Sequence, residues 1–211
     1  CISKRAKTVD IKYRVPSQGP VAHLVIDATG LKVYGEGEWK IRKHGKEKRR
    51  VWRKLHLAVD ATTHAVIAAE VSLETVADNE VLPTLLNPLR RKIKQVSADG
   101  AYDTKACHAL LKKKGAKATI PPRKNAAPWE EDHPRNEAVT ALKAGELKQW
   151  KKDSGYHQRS IAETAMYRFK QLIGPTLSLR NYNAQVGEIL AGVKVMNKLI
   201  GLGMPVRQPV N

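Results

Sequence analysis

Asp27 in VIDATG and Asp99 in SADGAYD each follow a run of apolar residues. That is an unfavourable place for a carboxylate unless a positive charge sits beside it. Two such carboxylates at neighbouring strand ends repel each other, and a divalent cation removes the repulsion. All-oxygen ligation of this kind suits Mg2+ or Mn2+. The competing reading makes each Asp a turn residue closing its strand. A third acid, Glu163, lies in GYHQRSIAETAMYRFKQLIG. At about 100° per residue, Tyr156, Arg159, Glu163 and Lys170 fall on one stripe of a helix. Ile161, Ala165, Phe169 and Leu172 fall on the opposite side. A helix packed through Phe169 and Leu172 therefore aims Glu163 away from a sheet, unless it leans over the sheet's end. The alternative is a solvated Arg–Glu–Lys face held by i,i+4 pairs. Asp60 and Asp103 are rival acids, and we assign them to a turn and to a helix cap.

The elements that must position these residues follow from the hydrophobic pattern. Residues 1–20 are polar and close on Pro16, Ser17, Gly19 and Pro20, so they read as a linker. Residues 21–34, 51–59 and 64–72 read as three strands with short links, an antiparallel meander. Asp78 is placed to cap a helix over 79–91, in which Val81, Leu82, Leu85, Leu86 and Leu89 recur at helical spacing. IKQVSADG (93–100) is a fourth strand. Asp103 or Thr104 is placed to cap the helix that follows, with Ala106, Leu110 and Leu111 inward and Gly115 as its stop. KATIPP (117–122) is a fifth short strand. Residues 123–154 read as a polar, irregular insert. Helices are expected from about 158 to 173 and from about 184 to 200. The order β-β-β-α-β-α-β predicts a mixed α/β fold, a five-stranded sheet with flanking helices. A helix between strands 3 and 4 lets strand 4 lie parallel to strand 1, which sets Asp27 and Asp99 side by side.

Tyr156-x2-Arg159-x3-Glu163-x6-Lys170 matches the signature of bacterial insertion-sequence transposases of the DDE class. HLVIDATGLKVYGEGEWKIRKHG, VSADGAYDT and RNYNAQVGEILAGVKVMNKLIGLGMP also resemble that family, so the likeness runs from about residue 8 to 205. The resemblance implies an RNase H-like core binding two divalent metals (Mg2+ or Mn2+) through Asp27, Asp99 and Glu163. It implies cleavage at transposon ends, joining of the freed 3′ end to target DNA, and a homo-oligomeric active complex. Two metals can stabilise both the entering and the leaving oxygen of an in-line phosphodiester attack. Tyr156, Arg159 and Lys170 are then expected at DNA, with Arg159 and Lys170 meeting phosphates beside the scissile bond. Family members usually carry an N-terminal, largely helical DNA-binding region. This chain lacks it and begins with Cys rather than Met, so residues 1–20 are expected to be the remnant of that region. Residues 21–180 are expected to form the catalytic domain, and residues 181–211 a C-terminal amphipathic helix and tail.

The charge balance agrees with a polyanionic partner. Of 211 residues, 38 are Lys or Arg and 20 are Asp or Glu, a formal net charge of +18. Residues 40–54 carry nine Lys and Arg against Glu47, a local +8. Arg42, Lys43, Lys46, Lys48, Arg49 and Arg50 are the candidate DNA-backbone contacts there. The alternative is a solvated edge hairpin protected by charge. A 42% hydrophobic composition excludes a fully disordered chain, and no apolar run reaches the roughly 18–20 residues that span a bilayer. Cys1 and Cys107 make no disulfide framework, so the expected place is the cytoplasm, at the nucleoid. His23, His56 and His64 read as structural, and Cys107 as core. Trp129 reads as a loop anchor, with stacking on an unpaired base as the alternative. Gly100 is expected to matter through backbone freedom after Asp99. Two other functions stay open: a non-catalytic remnant that binds DNA or full-length subunits and inhibits them, and an RNase H-like nuclease.

Overall fold

Alternating side chains send neighbouring residues of a strand to opposite faces of a sheet, and the central strand shows both faces buried. In β1 (Val21–Val33), Leu24 and Ile26 face one core while Val25, Leu31 and Val33 face the other. The computed structural model describes residues 5–16, 19–33 and 51–203. The candidate contacts Arg42, Lys43, Lys46, Lys48, Arg49 and Arg50 lie outside the described residues. β2 (Trp52–Asp60) and β3 (Val66–Leu73) continue the meander, each antiparallel to its neighbour. β4 (Ile93–Ser97) lies parallel to β1, and β5 (Lys117–Thr119) lies parallel to β4. The order across the sheet is β3-β2-β1-β4-β5. A sixth strand, β6 (Thr176–Leu177), pairs with the far end of β1, so the sheet has six strands rather than the expected five.

Helices cover both faces. α1 (Asp78–Leu86) and α2 (Lys105–Lys113) bury Leu82, Leu85, Leu86 and Leu111 against Leu24, Ile26 and Val96. α5 (Ser160–Leu172) and α6 (Tyr182–Leu202) bury Phe169, Ile189 and Val193 against Val25, Leu55 and Leu57. Burying such side chains contributes about 1.5–3 kcal/mol each, so these two layers hold the sheet. Gly192 lets α5 and α6 approach closely: a Cβ there would lie 2.9 Å from both Phe169 and Ile173.

Several boundaries differ from expectation. α1 stops at Leu86, short of residue 91, because a proline at 88 clashes with continued helix. Asp78 does not cap it; Ala77 holds that position without a side-chain bond, and Asp78 receives Lys54 at 2.9 Å. β4 ends at Ser97, before Asp99, where a 3-10 turn (Gly100–Tyr102) begins. The insert is not irregular: it contains α3 (Arg135–Lys143) and α4 (Leu147–Asp153). The helix expected from about 158 opens instead as a 3-10 turn (Tyr156–Arg159) before α5. Leu172 is 56% exposed rather than inward, and Met166 is buried in its stead; Ala106 is exposed as well.

The outer side of β3 meets side chains from distant segments. Tyr13 Oη accepts from Ala69 N (2.8 Å) and donates to Ala69 O (3.0 Å). Asn197 accepts from Val66 N and donates to Val66 O, both at 2.8 Å. Tyr182 Oη donates to Val71 O at 2.9 Å.

Candidate active site

The parallel register of β1 and β4 places the two aspartates. Val25 pairs with Ser97, so Asp27 and Asp99 each stand two residues beyond the same rung. Asp27 is inside β1, opposite Leu57 of β2, with its side chain 18% exposed. Its Oδ1 accepts from Ala28 N at 2.9 Å. Burial raises its pKa above the ordinary carboxylate value, and the charge of Asp99 adds to that; the Ala28 amide and Arg159 oppose it. Asp99 opens the 3-10 turn, its Oδ1 accepting from Ala101 N at 2.9 Å.

Arg159 joins this pair to the third acid. Its Nη1 donates to Asp27 Oδ2 at 2.7 Å, and its Nη2 donates to Glu163 Oε1. Glu163 is in the first turn of α5 and its side chain is 54% exposed. The helical wheel aims Glu163 off the sheet, and the structure shows the leaning alternative: the Arg159 guanidinium, just ahead of α5, joins Glu163 to Asp27 of β1. Arg159 belongs to the 3-10 turn yet keeps the i,i+4 relation to Glu163 that the wheel gives it; what the wheel does not give is its reach to Asp27. That turn is entered through Gly155 at φ 69°, a left-handed conformation that glycine adopts without a Cβ clash. Gln95 of β4 donates to Ser154 O (2.8 Å) and fixes the entry to the sheet. Tyr156 is half-buried, with the Arg159 guanidinium 5.9 Å and the Lys151 ammonium 5.3 Å from its ring centre. Burial raises the pKa of Tyr156. Lys170 sits in the last turn of α5, away from this group.

Three carboxylates are the donor chemistry of a hard divalent cation. Burial, and to a lesser extent the charge of Asp99, raises the pKa of Asp27. Among the described residues no three acids stand in metal-holding geometry, because the Arg159 guanidinium lies between Asp27 and Glu163. The donor set fits Mg2+ or Mn2+ once Arg159 releases one of its two carboxylates.

The sequence reading missed Asp103. Thr104, not Asp103, caps α2, accepting from Cys107 N at 3.2 Å. Asp103 is buried and takes a bidentate pair from Arg135 at 2.5 and 2.6 Å. His108 Nε2 lies 3.3 Å from its Oδ1. Burial alone would raise the Asp103 pKa, but Arg135 and His108 outweigh it and hold the carboxyl down at about 2. Arg123 donates its amide to Asp103 (3.3 Å) and its guanidinium to Gly100 O and Ala101 O, both at 3.1 Å. Asp103 thus fastens the insert to the turn that Asp99 begins. The only signal was its company of buried residues, Tyr102 and Cys107; nothing in sequence pairs it with Arg135, 32 residues on.

The bland readings hold at several positions. Trp129 anchors its loop, with the Arg135 guanidinium 4.0 Å from its ring centre and His108 and His133 edge-on. His23 and His56 are buried against Ser97 and Ser72 at 2.7 and 2.8 Å. Burial pushes the His56 pKa down to about 4. Asp60 accepts from Thr62 N in the β2–β3 turn, and Cys107 is buried. Gly100 does not need unusual backbone freedom: it is not at positive φ, and a Cβ there would lie 3.4 Å from Pro121 O.

A family model described as "Transposase DDE domain" matches residues 20–197. The chain belongs to the transposase DDE domain family. It is similar to the piggyBac transposase in a cryo-EM structure of its synaptic complex with hairpin DNA, with a TM-score of 0.51 and 13% identity. That match covers 90% of this chain and 50% of the other. A further match is to a cryo-EM structure of the simian T-cell lymphotropic virus intasome in complex with PP2A regulatory subunit B56 gamma. There the TM-score is 0.37 and identity 15%, over 83% of this chain and 49% of the other. The DDE domain thus spans about half the length of each of these chains, and the piggyBac likeness agrees with the RNase H-like core expected of it.

Proposed function

We propose that this DDE domain cuts DNA at transposon ends and joins the freed 3′ end to target DNA, working in an assembly of more than one copy. Asp27, Asp99 and Glu163 are the metal-holding residues in this reading, taking two Mg2+ or Mn2+ ions. The observation that carries it is the Arg159 guanidinium shared by Asp27 and Glu163 beside Asp99. Acids from two separate elements on one cation, with Asp99 beside Asp27, are not what a solvated helix face produces. When bound, the ions neutralise the carboxylates and stabilise charge on the entering and leaving oxygens. Asp27 and Asp99 supply fixed ligand positions because strand register sets them. Glu163 supplies an adaptable one, since its side chain is half in solvent. Arg159, once released from a carboxylate, is within reach of a phosphate beside the scissile bond. Tyr156 walls the same site, and Lys170 reaches DNA farther along α5. Residues 21–180 form the catalytic unit in this proposal. No helix of the described residues is long and apolar enough to cross a membrane.

Asp99→Asn tests the assignment. Asn keeps the size and the oxygen that caps the 3-10 turn but removes the charge that holds a cation. Cleavage of a duplex carrying the element's end, with Mg2+, is expected to vanish, while the thermal midpoint without divalent ions does not fall. Full cleavage by the variant returns the acids to turn residues and a solvated face.

A further inference from the structure

Arg159, the cation that the family signature brings to the acids, is already engaged on both nitrogens. The cation next to it is Lys151, which the signature does not include. It comes from α4, the second helix of the insert, and that helix packs against the Tyr156–Arg159 turn. Lys151 and Arg159 both lie near the ring of Tyr156, at 5.3 and 5.9 Å from its centre. Lys151 therefore stands one aromatic ring away from the guanidinium that bridges Asp27 and Glu163.

α4 is built to present charge. At about 100° per residue, Lys148, Lys151 and Lys152 share an arc of roughly 100°. Trp150 falls on the other side and Leu147 flanks Lys151; both are half-buried. Gln149 donates to Asp153 at 2.7 Å, so the helix's own acid is turned to that neighbour rather than to a lysine. Lys148, Lys151 and Lys152 make no ion pair among the described residues, and Lys148 and Lys152 are exposed. Among the described residues this row of ammonium groups has no acidic partner, and Lys151 has only the Tyr156 ring. A phosphate backbone supplies one at that spacing and sign. Gln95 holds the residue after α4 to the sheet, and Lys151 lies at the Tyr156 ring, while Lys148 and Lys152 are exposed along the same helix.

We propose that Lys148, Lys151 and Lys152 form a track for duplex DNA backbone that leads to the Asp27–Asp99–Glu163 site, with Lys151 the contact nearest the acids. The inference rests on the reading of that site as DNA-cleaving. The test is the salt dependence of duplex binding by the whole chain, measured by fluorescence anisotropy in EDTA, so that it does not depend on metal loading. Each phosphate contact adds about 0.9 to the slope of log K against log[salt]. Lys151→Gln is expected to lower the slope by about one, and the triple Gln variant by about two to three. Restoring charge with Arg at all three positions should restore the slope, which a defect in folding would not allow. Lys112→Gln, Lys113→Gln and Lys198→Gln, exposed lysines elsewhere, form the charge-matched control. An unchanged slope, or an equal drop in the control, overturns the track. Loss of slope in the α4 variants together with full cleavage by Asp99→Asn leaves the track standing and removes only the metal assignment.

Discussion

Arg159 holds two carboxylates that would otherwise repel across the end of the sheet. Its side chain and that of Asp27 are 20% and 18% exposed, so this half of the bridge is only partly screened; the Glu163 half, at 54%, contributes less. Arg159→Ala is expected to destabilise the domain by about 1–3 kcal/mol without divalent ions, because Asp27 is left beside Asp99 with no counterion. Mg2+ should recover more stability in the variant than in the parent, since the cation then takes the place of the guanidinium. Thermal denaturation with and without Mg2+ measures both, and an equal Mg2+ effect in the two proteins contradicts the competition. At this scale the sequence was partly legible. Asp27 and Asp99 could be found because apolar runs mark strand ends and a parallel register needs no side-chain detail. The bridge was legible only in its Arg159–Glu163 half, an i,i+4 pair; a wheel holds no information on how the start of α5 meets β1, 132 residues away in sequence.

The insert shows the same limit among elements. α3 and α4 escape pattern reading because they are short, with Ala138 and Val139 the only buried apolar residues of α3 and none fully buried in α4. What fastens them is polar: Arg135 of α3 on Asp103. Asp103→Ala leaves that guanidinium buried without its partner and should cost about 3–5 kcal/mol, read by urea denaturation. The pH dependence has a definite sign. A carboxyl held at about 2 in the folded chain and near 3.8 when unfolded contributes stability that is fully present above pH 4. That stability is lost as pH falls from about 4 through 2. The parent should therefore lose more stability than Asp103→Ala over this window, and parallel curves would show that the pair carries no net stabilisation.

For the whole molecule, the strand–helix order was enough to place five strands, the directions of the first four and the neighbours of β1. It missed β6, since two residues carry no periodicity, and it set α1 too long because leucine spacing alone does not reveal where a proline interrupts. The side chains that meet β3 have a consequence for a chain of this kind. A sheet's outermost strand offers a row of amides and carbonyls to any other extended chain, and crowding many copies on one DNA raises that encounter rate. Tyr13, Asn197 and Tyr182 occupy that row at Ala69, Val66 and Val71, so a second molecule finds those rungs of the ladder already taken. Net charge of +18 favours repulsion between copies in solution, and in the proposed reading a DNA duplex that gathers them neutralises it. The hydroxyl of Tyr13 then matters more on DNA than off it. Tyr13→Phe should leave the isolated protein soluble, yet light scattering should rise when saturating duplex is added, whereas the parent stays clear.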